Sequence, residues 1–98
     1  MTEHKLKCWP DYYDAIERGD KTFDVRKDDR GYQKGDTLVL MKTRRESPYE
    51  IIYDHSTANP RYSLRRTISY VLTGGQFGIE PGYVVLALAP LAGSTVTR

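Results

Sequence analysis

Apolar positions change their period several times along the chain, and each change marks a different element. Residues 4–8 alternate, with Leu6 and Cys8 on one face and Lys5 and Lys7 on the other, the pattern of a short strand. From Trp9 the period lengthens. Trp9, Tyr12, Tyr13 and Ile16 recur at i, i+3, i+4 and i+7, one apolar stripe on a helix. Pro10 fits the first helical position, Asp11 and Asp14 favour the N-terminal turn, Arg18 lies near the C-terminal end, and Gly19 supplies a left-handed stop. A helix this short depends on packing its stripe. Strand alternation returns over 21–27, where Phe23 and Val25 share one face and Asp24 and Arg26 the other. Asp28-Asp29-Arg30-Gly31 and Lys34-Gly35-Asp36 are turn sequences. Thr37 to Met41 is almost continuously apolar, which suits a strand buried on both faces.

Residues 44–66 lose periodicity and read as a long loop, with a short strand at Ile51-Ile52-Tyr53. Ile68, Tyr70 and Leu72 then alternate against Ser69 and Val71. A glycine-rich connector, Gly74-Gly75-Gln76-Phe77-Gly78 with Pro81-Gly82, precedes a last strand from Tyr83 to Leu88. Residues 91–98 are small and polar and read as a flexible tail. One early helix and several short strands predict a single α+β domain over residues 1–90, a small β-barrel that removes most exposed sheet edges.

Composition adds limits. At 98 residues there is room for one core, and 39% hydrophobic residues suffice to build it. No run approaches the ~20 apolar residues a bilayer helix needs, so no membrane is expected. Met1-Thr2-Glu3-His4-Lys5 has no apolar stretch and predicts no signal peptide. The single cysteine, Cys8, excludes an internal disulfide and fits a reducing cytoplasm. A formal charge of +2 permits nucleic acid without demanding it. Eight tyrosines are conspicuous, but tyrosine both packs in cores and stacks on bases.

The chemistry concentrates where the helix ends. Lys21 stands at the strand entrance, and Asp24 and Arg26 share a strand face, so the three form a candidate polar cluster. It is either a structural salt-bridge set at a barrel mouth or a functional site. As a base, Lys21 would need desolvation and the nearby Arg26 to outweigh Asp24, which stabilises the ammonium. As a cation, it would hold a phosphate or polarise a base carbonyl. His4 and Lys7 could line the same mouth, and Tyr83, at the start of the last strand, joins the ligand-binding candidates. Arg44, Arg45, Arg65 and Arg66 bracket the loop, with Tyr49, Tyr53 and Tyr62 between them. With Tyr32, that interleaving suits phosphate contact and base stacking. Two histidines and one cysteine match no zinc spacing, so no metal site is expected, and nothing implies a cofactor. Cys8 reads as a small buried apolar residue rather than a nucleophile. The Gly74-Gly75-x-x-Gly78 run lacks a Gly-Lys-Ser/Thr ending and reads as a tight turn.

The segment Gly19-x-Lys21-x-x-Asp24-x-Arg26 resembles the GxKxxExR signature of the ASCH family, a branch of the PUA-like RNA-associated β-barrels, with aspartate in place of glutamate. His4-x-Leu6-Lys7-x-Trp9-Pro10, Gly19-x-Lys21-Thr22-Phe23-Asp24-Val25-Arg26-Lys27-x-Asp29-Arg30 and Gly35-Asp36-x-Leu38 are similar to a small prokaryotic and phage family of unknown function grouped with ASCH domains. The closing Gly74-Gly75-x-Phe77-Gly78-Ile79-x-x-Gly82-Tyr83-Val84-Val85-Leu86 is similar to the same family. The resemblance implies a PUA-like barrel with one packed N-terminal helix, acting in the cytoplasm of a prokaryote or a phage-infected host. Among ASCH relatives is an amidohydrolase acting on acetylated cytidine. Lys21 falls on its catalytic lysine, Asp24 on its threonine nucleophile and Arg26 on a retained arginine, with Glu80 the candidate for its acidic partner. A carboxylate can act as a base but does not replace a hydroxyl nucleophile. The leading expectation is therefore an RNA- or nucleotide-binding module with a cleft floored by Lys21, Asp24 and Arg26. The alternatives are a hydrolase or nuclease with Lys21 and Asp24 as catalytic groups, and a phage accessory protein acting through protein contacts.

Overall fold

The computed structural model of the chain describes residues 1–46, 49–52 and 61–90. In order these form β1 (Glu3–Cys8), α1 (Pro10–Glu17), β2 (Phe23–Lys27), β3 (Thr37–Glu46), β4 (Tyr49–Ile52), β5 (Ser63–Thr73) and β6 (Tyr83–Ala89). The strands join one sheet in the order β1-β3-β5-β6-β2, with β4 paired to β3. β1 runs parallel to β3, and the other pairings are antiparallel. Right-handed strand twist and a bulge between Ile68 and Tyr70 curl this sheet into a half-barrel.

The core fills the concave side. Leu6 and Cys8 from β1, Leu38 and Leu40 from β3, Ile68 from β5, and Val84, Leu86 and Leu88 from β6 all point inward. α1 closes the concavity with Tyr13 and Ile16, both almost fully buried. Its stripe is narrower than the spacing predicts: Tyr12 is exposed and Trp9 is only half-buried, because the helix docks through one edge rather than its centre. Lys42 on β3 fixes that dock, donating to Asp14 at 2.9 Å over the Tyr13 ring. Gly19 ends the helix at φ +85°, a conformation that costs a side-chain-bearing residue 1–2 kcal/mol or so. The turn lets Asp20 and Lys21 both donate to the Ala15 carbonyl.

Thr37 to Met41 is buried along both faces, as its apolar run predicts. Two other sequence expectations need correction, and one open question is decided. Residues 44–66 are not one loop: β3 continues through Arg44 and Arg45 to Glu46, β4 returns antiparallel against it, and β5 begins at Ser63. Arg44-Arg45-Glu46 and Tyr49-Glu50-Ile51-Ile52 show no sustained alternation, so the segment carries no hydrophobic period to read. Ile51 and Ile52 do lie in β4, whereas Tyr53, His55 and Asn59 are outside the described residues, as is the tail at 91–98. In β5 the bulge breaks the alternation, so Ile68 and Val71 meet the core while Tyr70 points outward. In β2 the polar residues face inward: Asp24 is buried, while Phe23 and Val25 are 45% and 51% exposed.

A cationic and aromatic cleft at the sheet seam

β1 and β2 are the two ends of the curled sheet, and they approach without pairing. Arginine and lysine side chains cap their edge carbonyls instead. Arg26 Nη2 donates to the Lys7 carbonyl at 2.7 Å, Arg30 Nη1 to the Lys5 carbonyl at 3.4 Å, and Lys21 Nζ to the Phe23 carbonyl at 2.8 Å. A side chain that reaches from β2 to β1 closes the seam while leaving a space between the strands. That space is a cleft of about 770 Å³, within the ~300–1,000 Å³ typical of small-molecule sites.

The alternation of each strand dictates what lines it. Outward-facing Lys5 and Lys7 form one rim, and outward-facing Phe23 and Val25 form the other. Inward-facing Leu6, Cys8, Asp24 and Arg26 make the floor, with Met41 from β3. Trp9, Tyr12 and Lys21 contribute from the start and the far end of α1, and Arg30 comes from the turn after β2. Five cations and one carboxylate therefore face one space.

The Lys21-Asp24-Arg26 cluster exists as the strand pattern predicts, and it is internally satisfied. Asp24 accepts from Arg26 Nε at 2.6 Å and from Lys21 Nζ at 3.3 Å. The Lys21 ammonium lies between the Tyr12 and Phe23 rings, 5.0 and 4.9 Å from their centroids. Cys8 sits beneath the cluster. Burial, and then the Asp24 charge, push its thiol from 9.0 up to about 11, the reverse of what a nucleophile needs.

Other candidates are placed elsewhere. His4 does not reach the cleft. It is buried on the core side of β1, where its Nε2 pairs with Asp36 Oδ2 at 2.9 Å and its ring meets Tyr32 edge-on at 4.8 Å. Tyr32 lies in the β2–β3 loop but is buried in the core rather than open to stack on a base. Asp36 is raised by burial, but hydrogen bonds from His4 and from the Thr2 and Gln33 amides outweigh this and hold it below 3.8. Tyr83 pairs with Lys27 at the far end of β2, away from the cleft lining, and Glu80 lies in the β5–β6 connector. Arg44 is exposed on β3, and Arg45 follows it in the same strand. Arg65 and Arg66 point to opposite sides of β5: Arg65 pairs with Glu3, and Arg66 donates to the Ile16 carbonyl at the helix end at 3.3 Å. Tyr62 lies under the Arg61 guanidinium, 6.0 Å away.

Lys5, Arg30, Trp9, Tyr12 and Phe23 are cleft residues that sequence reasoning did not select. Lys5 had a signal, since it shares the outward face with Lys7. Arg30 sits in a turn, where no period tells which way a side chain points.

Among known proteins, the "Uncharacterized 12.9 kDa protein in GpA 3'region" of Escherichia phage P2 is 43% identical over 37 residues, which is 38% of this chain and 34% of that protein. The match spans only about a third of the phage protein's length. A family model covers far more, matching residues 3–88, from the first strand of the half-barrel into the last. On that match the chain belongs to the DUF3850 family, a domain of unknown function.

Proposed function

We propose that this domain is an RNA- or nucleotide-binding module of the ASCH, PUA-like type, working in the cytoplasm of a prokaryote or a phage-infected cell, with the seam cleft as its ligand site. The observation that carries the reading is the pair of unlike rims. Lys5, Lys7 and Arg30 present cations on one side, while Phe23, Val25 and Tyr12 present apolar and aromatic surface on the other. A nucleotide has the same two-sidedness: a flat ring to stack and a phosphate to neutralise. Lys21 and Arg26 then act through Asp24 and the edge carbonyls, holding the floor and both rims in place. Arg44 and Arg65, exposed on β3 and β5, are where a longer RNA would continue.

Binding fits this geometry better than catalysis. A general base must direct its nitrogen at the substrate, whereas Lys21 Nζ is engaged by a carbonyl, a carboxylate and two rings. The test is calorimetric titration of the full chain with nucleoside monophosphates and a short single-stranded RNA, followed by chromatography for product. Saturable binding without product is expected, and Arg30→Ala should lower the salt slope of RNA binding by about one unit. Absence of binding to both ligands at millimolar concentration overturns the reading. Product that disappears in Lys21→Ala replaces it with a hydrolase.

A further inference from the structure

The sheet surface opposite the core is apolar where β2, β6 and β5 run side by side. Strand register places Phe23, Ala87 and Tyr70 in one row across the three strands, and Val25, Val85 and Leu72 in the next. Directly paired residues point to the same side of a sheet. Since Val84, Leu86 and Leu88 face the core, all six of these point outward. The β5 bulge completes the surface, because without that register shift Tyr70 and Leu72 would have followed Ile68 inward. An antiparallel sheet with one solvated face normally carries polar residues there. Here neither row holds a charged side chain; Tyr70 is 61% exposed, Val25 51%, and Phe23, with the Lys21 ammonium against its ring, 45%.

The size of the patch argues for its occupant. Covering a whole aromatic side chain removes about 150–250 Å², so Phe23 and Tyr70 at these exposures leave on the order of 200 Å² of ring surface. With Val25 and the partly exposed Leu72, Val85 and Ala87, the patch reaches roughly 300–400 Å², at the scale of the largest apolar patches on monomeric proteins, which are commonly functional. A standard interface buries about 800 Å² per partner, and its homodimeric form is about two-thirds apolar. This patch plus a polar rim approaches that size. It also suits self-association, because the two rows themselves carry no charge, so a two-fold axis through them sets only uncharged side chains against one another. Single-stranded nucleic acid fits poorly, since a strand needs cations along its backbone; the rows carry none, and of the lysines at their border Lys21 is already held by Asp24 and the Phe23 carbonyl.

We infer that this face is a homodimer interface, in which two half-barrels pack sheet on sheet through Phe23, Val25, Tyr70, Leu72, Val85 and Ala87. The interface then runs along the apolar rim of each cleft, since Phe23 and Val25 belong to both. Sedimentation equilibrium of the full chain, from about 1 μM to about 500 μM, spans affinities from tight to weak. The mass should rise from 11.3 kDa towards twice that value. Tyr70→Asp should raise the dimer dissociation constant at least tenfold, about 1.4 kcal/mol, without changing the melting temperature of the dilute monomer. Val25→Thr, nearly isosteric, should weaken the dimer less and guards against misfolding of the first variant. Phe77→Asn, in the β5–β6 connector, should leave the dimer unchanged. A wild-type chain that stays monomeric over the whole range, or a dimer equally stable in folded Tyr70→Asp and Val25→Thr, overturns the inference.

Discussion

At the residue scale, Asp24 is the one carboxylate among the five cations lining the cleft and binds two of them, so its loss should matter most. It is nearly buried and accepts from two cations, themselves only 16% and 23% exposed. Asp24→Ala leaves both without their carboxylate and should cost about 2–4 kcal/mol by chemical denaturation. Lys21→Ala leaves Asp24 paired with Arg26 and should cost about 1 kcal/mol. A Lys21→Ala sample that melts normally but no longer binds nucleotide places Lys21 at the ligand; clear destabilisation with normal binding in the folded fraction makes it structural. Cys8 gives a pH test. Its folded pKa is raised from 9.0 to about 11, so its contribution to stability is complete below pH 9 and is lost as pH rises towards 11. Cys8→Ala should therefore lose less stability than the wild type between neutral and alkaline pH, and native Cys8 should react with iodoacetamide far more slowly than unfolded chain. Asp36 has the opposite sign. Its carboxyl is held below 3.8, so its contribution is present above that value and lost as pH falls through the lower folded value. Asp36→Asn should flatten the acid limb of a melting-temperature profile.

At the scale of elements, α1 was legible because its signals agree. Proline at the start, glycine at the end and Ile16 between them specify one short helix, and Ile16 is 2% exposed. Ile16→Ala should cost about 2–4 kcal/mol, and an unchanged denaturation midpoint would show that the helix does not depend on that contact. The glycine-rich connector is likewise a backbone device rather than a phosphate loop. A Cβ at Gly74 would lie 2.1 Å from the Glu80 carbonyl oxygen and 2.5 Å from that of Tyr83. Gly74→Ala should thus lower the melting temperature more than Gly75→Ala, where open space surrounds the site but the left-handed backbone remains. The β3–β4 ribbon was not legible, since Arg44-Arg45-Glu46 and Tyr49-Glu50-Ile51-Ile52 carry no sustained period-two alternation to mark a strand.

At the scale of the whole molecule, the seam is the decisive feature. The half-barrel is held there by side chains rather than by a strand ladder, and Arg26 makes the link from β2 to β1 while also binding Asp24. Arg26→Lys keeps the charge but not the fork that reaches both partners. It should lower stability by about 1–2 kcal/mol and speed amide exchange in β1 and β2 ahead of β3. Equal exchange in wild type and variant would show that the edges stay together without this arginine.

The sequence alone determined what depends on neighbours along the chain. The helix limits, the doubly buried run at Thr37 to Met41, the last strand and the grouping of Lys21, Asp24 and Arg26 follow from period, turn residues and alternation. Tertiary structure decided which face of each strand is inside. Alternation states that Asp24 and Arg26 oppose Phe23 and Val25, but not that the polar pair faces in. That outcome depends on the curl, which brings Lys7 within reach of Arg26 across nineteen residues of sequence. It also moved His4 into the core against Asp36, thirty-two residues away, and set Lys5 and Arg30 beside the cleft. Contacts of that separation leave no period in the sequence, because the partners are joined by the closure of the sheet and not by the chain between them.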